Sequence, residues 1–126
     1  SREISRNEIE QIVEAHLHLI MDKDVKFELE IFDLPSIRIP EAGFKILLGN
    51  LLKNAFAYTD RGKVKLQVEK QQITVIDSGS GLAVEPRGAD GYGLGLLITK
   101  DICRNYNWQF SLENNADVGC TASLHF

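Results

Sequence analysis

Cysteine, methionine, tryptophan and proline are all scarce in this 126-residue chain, at two, one, one and three residues, and no apolar run approaches the length of a membrane span. Each scarcity excludes something. Two cysteines cannot build the dense disulfide framework of a small secreted domain, and Cys103 and Cys120 lack the Cys-x-x-Cys spacing of a zinc or redox site. Cys103 falls in a helical pattern and Cys120 in a strand pattern. Both read as small core residues kept reduced, which points to the cytoplasm. Charge is modest as well. A formal net value of −4 argues against nucleic acid or an anionic membrane surface as the main partner. No secretory signal pattern opens the sequence, and the polar stretch Ser1 to Ser5 reads as part of a segment excised from something longer. Repeats, low-complexity tracts and linkers are also missing. The length suits one domain, residues 1–126, large enough to bury a core without staples.

What is present is a succession of hydrophobic periodicities. Asn7 suits an N-cap with Glu10 as its capping-box partner, and Ile9, Ile12, Val13, His16, Leu19 and Ile20 recur at helical spacing, predicting a helix over 8–21. Val25, Phe27, Leu29 and Ile31 alternate with polar residues as a half-buried strand, and Ser36–Ile39 forms a short edge strand after the Leu34-Pro35 turn. Pro40 suits the first turn of a second helix, whose core-facing stripe is Phe44, Leu47, Leu48, Leu51, Leu52 and Ala55, ended by Asp60-Arg-Gly62. Val64, Leu66 and Val68 alternate as a strand, with Ile73–Ile76 as its hairpin partner across a polar turn. Residues 77–93 are a glycine-rich loop. Leu94, Leu97, Ile98, Ile102 and Cys103 stripe a third helix, and two more strands follow, around 108–112 and 120–126. The order predicts an α/β (α+β) sandwich: a mixed, mostly antiparallel sheet of about five strands with three helices on one face.

Three blocks carry chemistry. Asn50 and Asn54 lie one helical turn apart, so both amides project from one side of the second helix, beside its apolar stripe. Asparagine disfavours helix interiors, and a pair there suits oxygen ligation of a Mg²⁺ that keeps several waters; the plain alternative is two solvated surface residues. Asp77 closes a strand and enters Ser78-Gly79-Ser80-Gly81. A carboxylate held there can accept a hydrogen bond from an exocyclic amine such as adenine's, and the glycines admit a flat ligand; an ordinary Asx turn is the alternative. Gly91-Tyr92-Gly93-Leu94-Gly95-Leu96 then leads into a helix, so its backbone N–H groups suit a polyphosphate, or else form a simple hinge. It is neither a Rossmann fingerprint nor a P-loop, because the spacing differs and no Gly-Lys-Ser/Thr follows. The histidines read as bland: His16 on the buried stripe, His18 on the polar side and His125 facing outward near the chain's last residue.

Together, Asn50-x-x-x-Asn54-Ala55, Asp77-x-Gly79-x-Gly81 and Gly91-x-Gly93-Leu94-Gly95-Leu96 resemble the N, G1 and G2 boxes of sensor histidine kinases. The resemblance implies the Bergerat fold of the GHKL superfamily and binding of ATP with Mg²⁺. It implies Asn50 and Asn54 as the catalytic pair, Asn54 being the Mg²⁺ ligand and Asn50 a contact to phosphate or a metal-bound water. Asp77 becomes the adenine-reading acid, with Gly79 and Gly81 giving room at the base. Tyr58 lies against base or ribose, and Gly91, Gly93, Leu94, Gly95 and Leu96 flank the phosphates. Lys53 and Arg87 are further phosphate contacts on charge alone.

The same resemblance implies partners: a histidine-bearing dimerisation domain of the same kinase and a response regulator receiver domain downstream. It involves no nucleic acid and no direct membrane contact by this domain, although the parent kinase is expected to be anchored in a bacterial inner membrane. Three departures stand out. Ala57 occupies a place where the family often has a cation, only nine residues separate Gly81 from Gly91, and no His-Glu-x-x-x-Pro phosphoacceptor box occurs. Related ATPases place a glutamate general base where this chain has Asn50, which predicts negligible intrinsic hydrolysis. A degenerate regulatory module and an anti-sigma-factor-type serine kinase are the competing readings.

Overall fold

The computed structural model describes residues 1–79 and 93–126, with the backbone alone at 93 and 94. The chain order is β1 (Arg2–Glu3), α1 (Arg6–Glu14), a 3₁₀ turn (Leu17–Ile20), β2 (Asp24–Ile31), β3 (Ser36–Ile37), α2 (Glu41–Tyr58), β4 (Arg61–Val68), β5 (Gln72–Asp77), α3 (Gly93–Tyr106), β6 (Gln109–Asn114) and β7 (Cys120–His125). Five strands form one sheet in the order β2-β4-β5-β7-β6, and β1 pairs with β3 in a separate two-stranded ribbon. Every pairing in the large sheet is antiparallel except β2 with β4, which run parallel. The expected mixed, mostly antiparallel sheet with a helical layer is therefore what the chain adopts.

Local chemistry explains the element ends, including two that differ from expectation. The first helix is capped by Ser5, not Asn7: the Ser5 hydroxyl accepts from the Glu8 N–H at 3.0 Å. Two Ser/Asn-x-x-Glu patterns overlap here, and the earlier one wins because Glu8 is also held by Arg2, at 2.8 and 2.9 Å. That pairing raises the Arg2 pKa above its ordinary value, the Glu8 hydrogen bond being the main cause. The helix also stops at Glu14 and tightens into the 3₁₀ turn, so the expected 8–21 span is really two pieces. Between them His16 is buried, its Nδ1 2.7 Å from the Ile12 carbonyl. A carbonyl can only accept, so Nδ1 carries the proton.

The core lies between the helices and one face of the sheet. Phe44, Leu47, Leu48, Leu51, Leu52 and Phe56 of α2 are at most 1% exposed and pack on Val64, Leu66, Val68, Ile73, Val75 and Leu124 of the sheet. Residue register places Phe27, Val64 and Asp77 in one row, and Leu29, Leu66 and Val75 in the next, all on the helical side. The intervening residues put Lys26, Glu28, Lys63 and Lys65 on the other side, where Lys63 bonds Glu28 at 2.9 Å and Lys65 approaches Glu30 at 3.7 Å. The Lys63 hydrogen bond holds the Glu28 carboxyl below its ordinary pKa. Alternation thus gives one dry face and one wet face, as a half-buried sheet requires.

Candidate functional site

Helix α2 is the element on which the three sequence blocks meet. Its stripe of leucines fixes its rotation, and the 3.6-residue period then decides where the polar side chains go. Asn54 is swung inward and is 4% exposed, whereas Asn50, one turn earlier, is half-buried and reaches across to α3. The Asn50 Nδ2 donates to the Gly95 carbonyl at 3.1 Å, joining the first block to the third. The same carbonyl accepts from the Thr99 hydroxyl at 3.0 Å, and Thr99 is fully buried. A methyl group at Gly95 would stand 3.5 Å from Asn50, in ordinary contact.

The second block touches the other end of the helix. Asp77, the last residue of β5, is 3% exposed. Its Oδ1 accepts from the backbone N–H of Gly79 at 2.9 Å and of Cys120 at 3.2 Å, while its carbonyl accepts from the Asn115 side chain at 2.9 Å. The Asx turn and the buried acid are therefore one arrangement, and the turn orients the carboxylate rigidly. Gly79 presses on the end of α2 so closely that a Cβ there would sit 2.1 Å from the Tyr58 carbonyl oxygen and 2.9 Å from the Thr59 hydroxyl. Lys23 pins the same helix end from outside, donating to the carbonyls of Phe56 and Thr59 at 2.8 and 3.3 Å and approaching Asp60 at 3.3 Å. A cation on the last carbonyls of a helix is the favourable sign for its dipole.

Among the expected site residues, the structure brings together Asn50, Asn54, Tyr58, Asp77, Gly79 and Gly95 around α2, with Gly93 opening α3 and Leu96 buried in its first turn. Lys53 is exposed and lines a separate cleft of about 620 Å³ with His16, Lys45, Phe56 and Ala57, on the α1 side of α2. One residue is 100° of helix, enough to part Lys53 from Asn54. Gly81, Arg87, Gly91 and the Leu94 side chain lie outside the described residues.

Sequence reasoning passed over Thr59, Thr99, Cys120 and Asn115. Thr59 is fully buried, and its hydroxyl has no hydrogen-bond partner among the described residues. Thr99 was hidden by a misplaced stripe: α3 buries Leu96, Thr99 and Cys103, while Leu97 and Ile98 of the expected stripe are exposed. Cys120 was read only as a core residue, and its bond to Asp77 follows from the strand pairing that sets the two opposite each other. Asn115 was legible only as a turn residue.

Cys103 and Cys120 are both buried and unbridged, as their patterns predict. Burial pushes the Cys103 thiol from an ordinary value of 9.0 up to about 11. Among the described residues no group of three or more His, Cys, Asp or Glu side chains could hold a metal ion. No helix there is long and apolar enough to cross a membrane.

The chain is similar to several known proteins. The sensor protein EvgS of Escherichia coli (strain K12) is 32% identical over 111 residues, covering 70% of this chain and 9% of that protein. The chain therefore spans less than a tenth of that curated relative, and 36% of the sensory kinase SasA from Synechococcus sp. (strain JA-2-3B'a(2-13)), which is 29% identical over 91% of the chain. The structure of full-length ShkA in complex with AMPPNP superposes with a TM-score of 0.81 at 21% identity, over 97% of this chain and 30% of that one, which establishes the shared fold. Residues 40–126, from the start of α2 to the last strand, match the family described as histidine kinase-, DNA gyrase B-, and HSP90-like ATPase. That match takes in more than half of the sequence, and the chain belongs to that ATPase family.

Proposed function

We propose that residues 1–126 form a single domain that binds ATP with Mg²⁺ and presents its γ-phosphoryl group to a histidine on a separate dimerisation domain, as part of a sensor histidine kinase. The observation that carries this reading is the convergence on α2: Asn50 bonds Gly95 of the third block, and Gly79 of the second packs on Tyr58 and Thr59. Kinase names among the relatives and the AMPPNP held by ShkA support it.

The donor set fits a hard divalent cation. The amide oxygen of Asn54 would hold an ion that takes few protein ligands and keeps waters, and Asn50 would contact a phosphate or a metal-bound water. When bound, such an ion offsets phosphate charge as the phosphoryl group transfers. The chain's own residues do the positioning. Asp77, oriented by two backbone N–H groups, accepts from the base amine, and Tyr58 flanks the base or ribose. The N–H groups of Gly93 and Gly95, in the first turn of α3 and without an acceptor in that helix, face the phosphates, with Leu96 beside them. Gly81, Gly91, Leu94 and Arg87 belong to the same proposed site, with Lys53 contributing charge at longer range.

The phosphoacceptor comes from elsewhere in the kinase. His16 is buried with its Nδ1 committed to Ile12, and His18 and His125 are exposed on other faces. A response regulator receiver domain then takes the phosphoryl group, and the parent kinase is held at a bacterial inner membrane while this domain works in the cytoplasm.

Calorimetric titration tests the reading. The chain is expected to bind ATP–Mg²⁺ in preference to GTP–Mg²⁺. Asp77→Ala should weaken ATP by at least about tenfold, the loss for one charged hydrogen-bond partner. With radiolabelled ATP the chain alone should acquire no stable label. No ATP binding by the unaltered chain, or label on its own histidines, would refute it.

A further inference from the structure

We infer that the cleft between α1, the 3₁₀ turn and α2 is a second binding site, for a small aromatic carboxylate that bears a hydroxyl group. It lies on the α1 side of α2 and stands independent of the nucleotide reading. The cleft holds about 620 Å³, and small-molecule sites run from roughly 300 to 1,000 Å³. Its best-defined feature is a buried acceptor. His16 lines the cleft and is 8% exposed, its Nδ1 donating to the Ile12 carbonyl. The other ring nitrogen, Nε2, has no hydrogen-bond partner among the described residues. In the neutral ring Nε2 then carries a lone pair and can only accept. An unmade hydrogen bond at a buried nitrogen is costly, and a ligand donor entering the cleft would make it.

Charge and shape narrow the ligand further. The imidazole edge rests on Gly49 of α2, where a Cβ would stand 3.1 Å from both Cε1 and Nε2. Lys45 and Lys53 follow Gly49 at one helical turn on either side, so both ammonium groups sit on the face that His16 covers. Both lysines are exposed, line the cleft and have no ion-pair partner among the described residues. Lys23 is committed to the end of α2 and to Asp60, and Asp22 is the one acid among the described lining residues. The charge balance therefore favours an anion. Leu19, Phe56 and Ala57 supply apolar surface, and Phe56 is held by an edge-to-face contact with Phe27 at 5.8 Å. Ala57 stops at its Cβ and leaves room for a flat ring, which gains by stacking or edge contact with Phe56. The three features act together on one molecule: the ring covers the apolar wall, the carboxylate meets Lys45 and Lys53, and the hydroxyl donates to Nε2.

The test is a ¹⁵N–¹H titration of the whole chain with three probes. They are 4-hydroxyphenylacetate, phenylacetate, which lacks the hydroxyl, and 2-(4-hydroxyphenyl)ethanol, which lacks the charge. The first should shift the amides of Ala15, His16, Lys53 and Ala57 and leave those of Asp77 and Gly95 in place. Its dissociation constant should fall at about 1–5 mM, ordinary for so small a molecule. Phenylacetate should bind about five- to tenfold more weakly, the range for one lost hydrogen bond. The alcohol should bind about three- to fivefold more weakly, the range for an exposed ion pair. Lys45→Glu should weaken both acids by at least that factor and leave the alcohol within about twofold. His16→Phe keeps a flat ring and removes Nε2, so the two acids should then bind alike. If that variant does not fold, Lys45→Glu, at an exposed position, carries the test with the three probes. No shift at the cleft with any probe at about 20 mM, or affinities indifferent to both hydroxyl and charge, would overturn the site. ATP–Mg²⁺ binding is measured separately, so the two readings fail separately.

Discussion

Adding a single methyl group at Gly79 should cost this protein more than most core truncations. The Cβ of Gly79→Ala would stand 2.1 Å from the Tyr58 carbonyl oxygen and 2.7 Å from its carbon. Ordinary contact needs about 3.5 Å, so one side must retreat by more than ~1 Å. Neither can move cheaply. Gly79 is held by its N–H bond to Asp77, and Tyr58 ends a helix whose neighbouring carbonyls are fixed by Lys23. Overpacking against backbone belongs at the upper end of the usual range, about 3 kcal/mol. An unfolding entropy of about 2.1 cal/mol/K per residue gives roughly 0.26 kcal/mol/K for the 126 residues, so the melting temperature should fall by about 11 °C. Gly95→Ala is the internal control. Its Cβ would meet Asn50 at an ordinary 3.5 Å, and alanine is the better helix former, so its melting point should hold or rise slightly. Calorimetric melting of both variants beside the parent checks the pair. If Gly79→Ala melts within about 2 °C of the parent, the close approach of the second block to α2 is wrong.

Two further outcomes follow from buried groups. Thr59→Val removes a fully buried hydroxyl that has no partner among the described residues, so it should stabilise the ligand-free protein by about 1 kcal/mol, roughly 4 °C. A melting point at or below the parent's would show that the hydroxyl is satisfied. Cys103, its thiol raised from 9.0 to about 11, binds a proton more tightly folded than unfolded. Its contribution is complete below pH 9 and lost as pH rises from there toward 11. Urea unfolding over that window should show a decline that Cys103→Ala lessens, and an unchanged decline would count against burial of the thiol.

Most of the architecture was legible because period and burial agree. The leucine stripe of α2 and the alternation of Val64, Leu66 and Val68 each admit one face toward the core, and the structure buries those faces. The chain-start details were less legible. Ser5 and Asn7 both head capping-box patterns, and only the contact between Arg2 and Glu8 chooses between them. The two-residue strand at Arg2–Glu3 has no period to detect at all; it exists because Ser36–Ile37 lies beside it. At the site, the residue types announced themselves while their mutual contacts did not. That Asn50 would hold a carbonyl 45 residues away depends on how α3 packs, a matter of tertiary geometry. For the same reason Lys53, which read as a phosphate contact on charge alone, lines another cleft.

The parallel pairing of β2 with β4 has a mechanical meaning. Helix α2 is the crossover between β2 and β4, whose eight residue pairs run from Asp24 with Arg61 to Ile31 with Val68. Sliding this helix would drag on both strands and break a ladder locked on each side of it, so it behaves as the fixed jaw of a vice. Helix α3 runs into the sheet as well, with Asn107 and Trp108 between its end and β6, and it meets α2 through the Asn50 bond to Gly95. Any ligand gripped against α2 is therefore expected to meet a wall that the sheet holds in place.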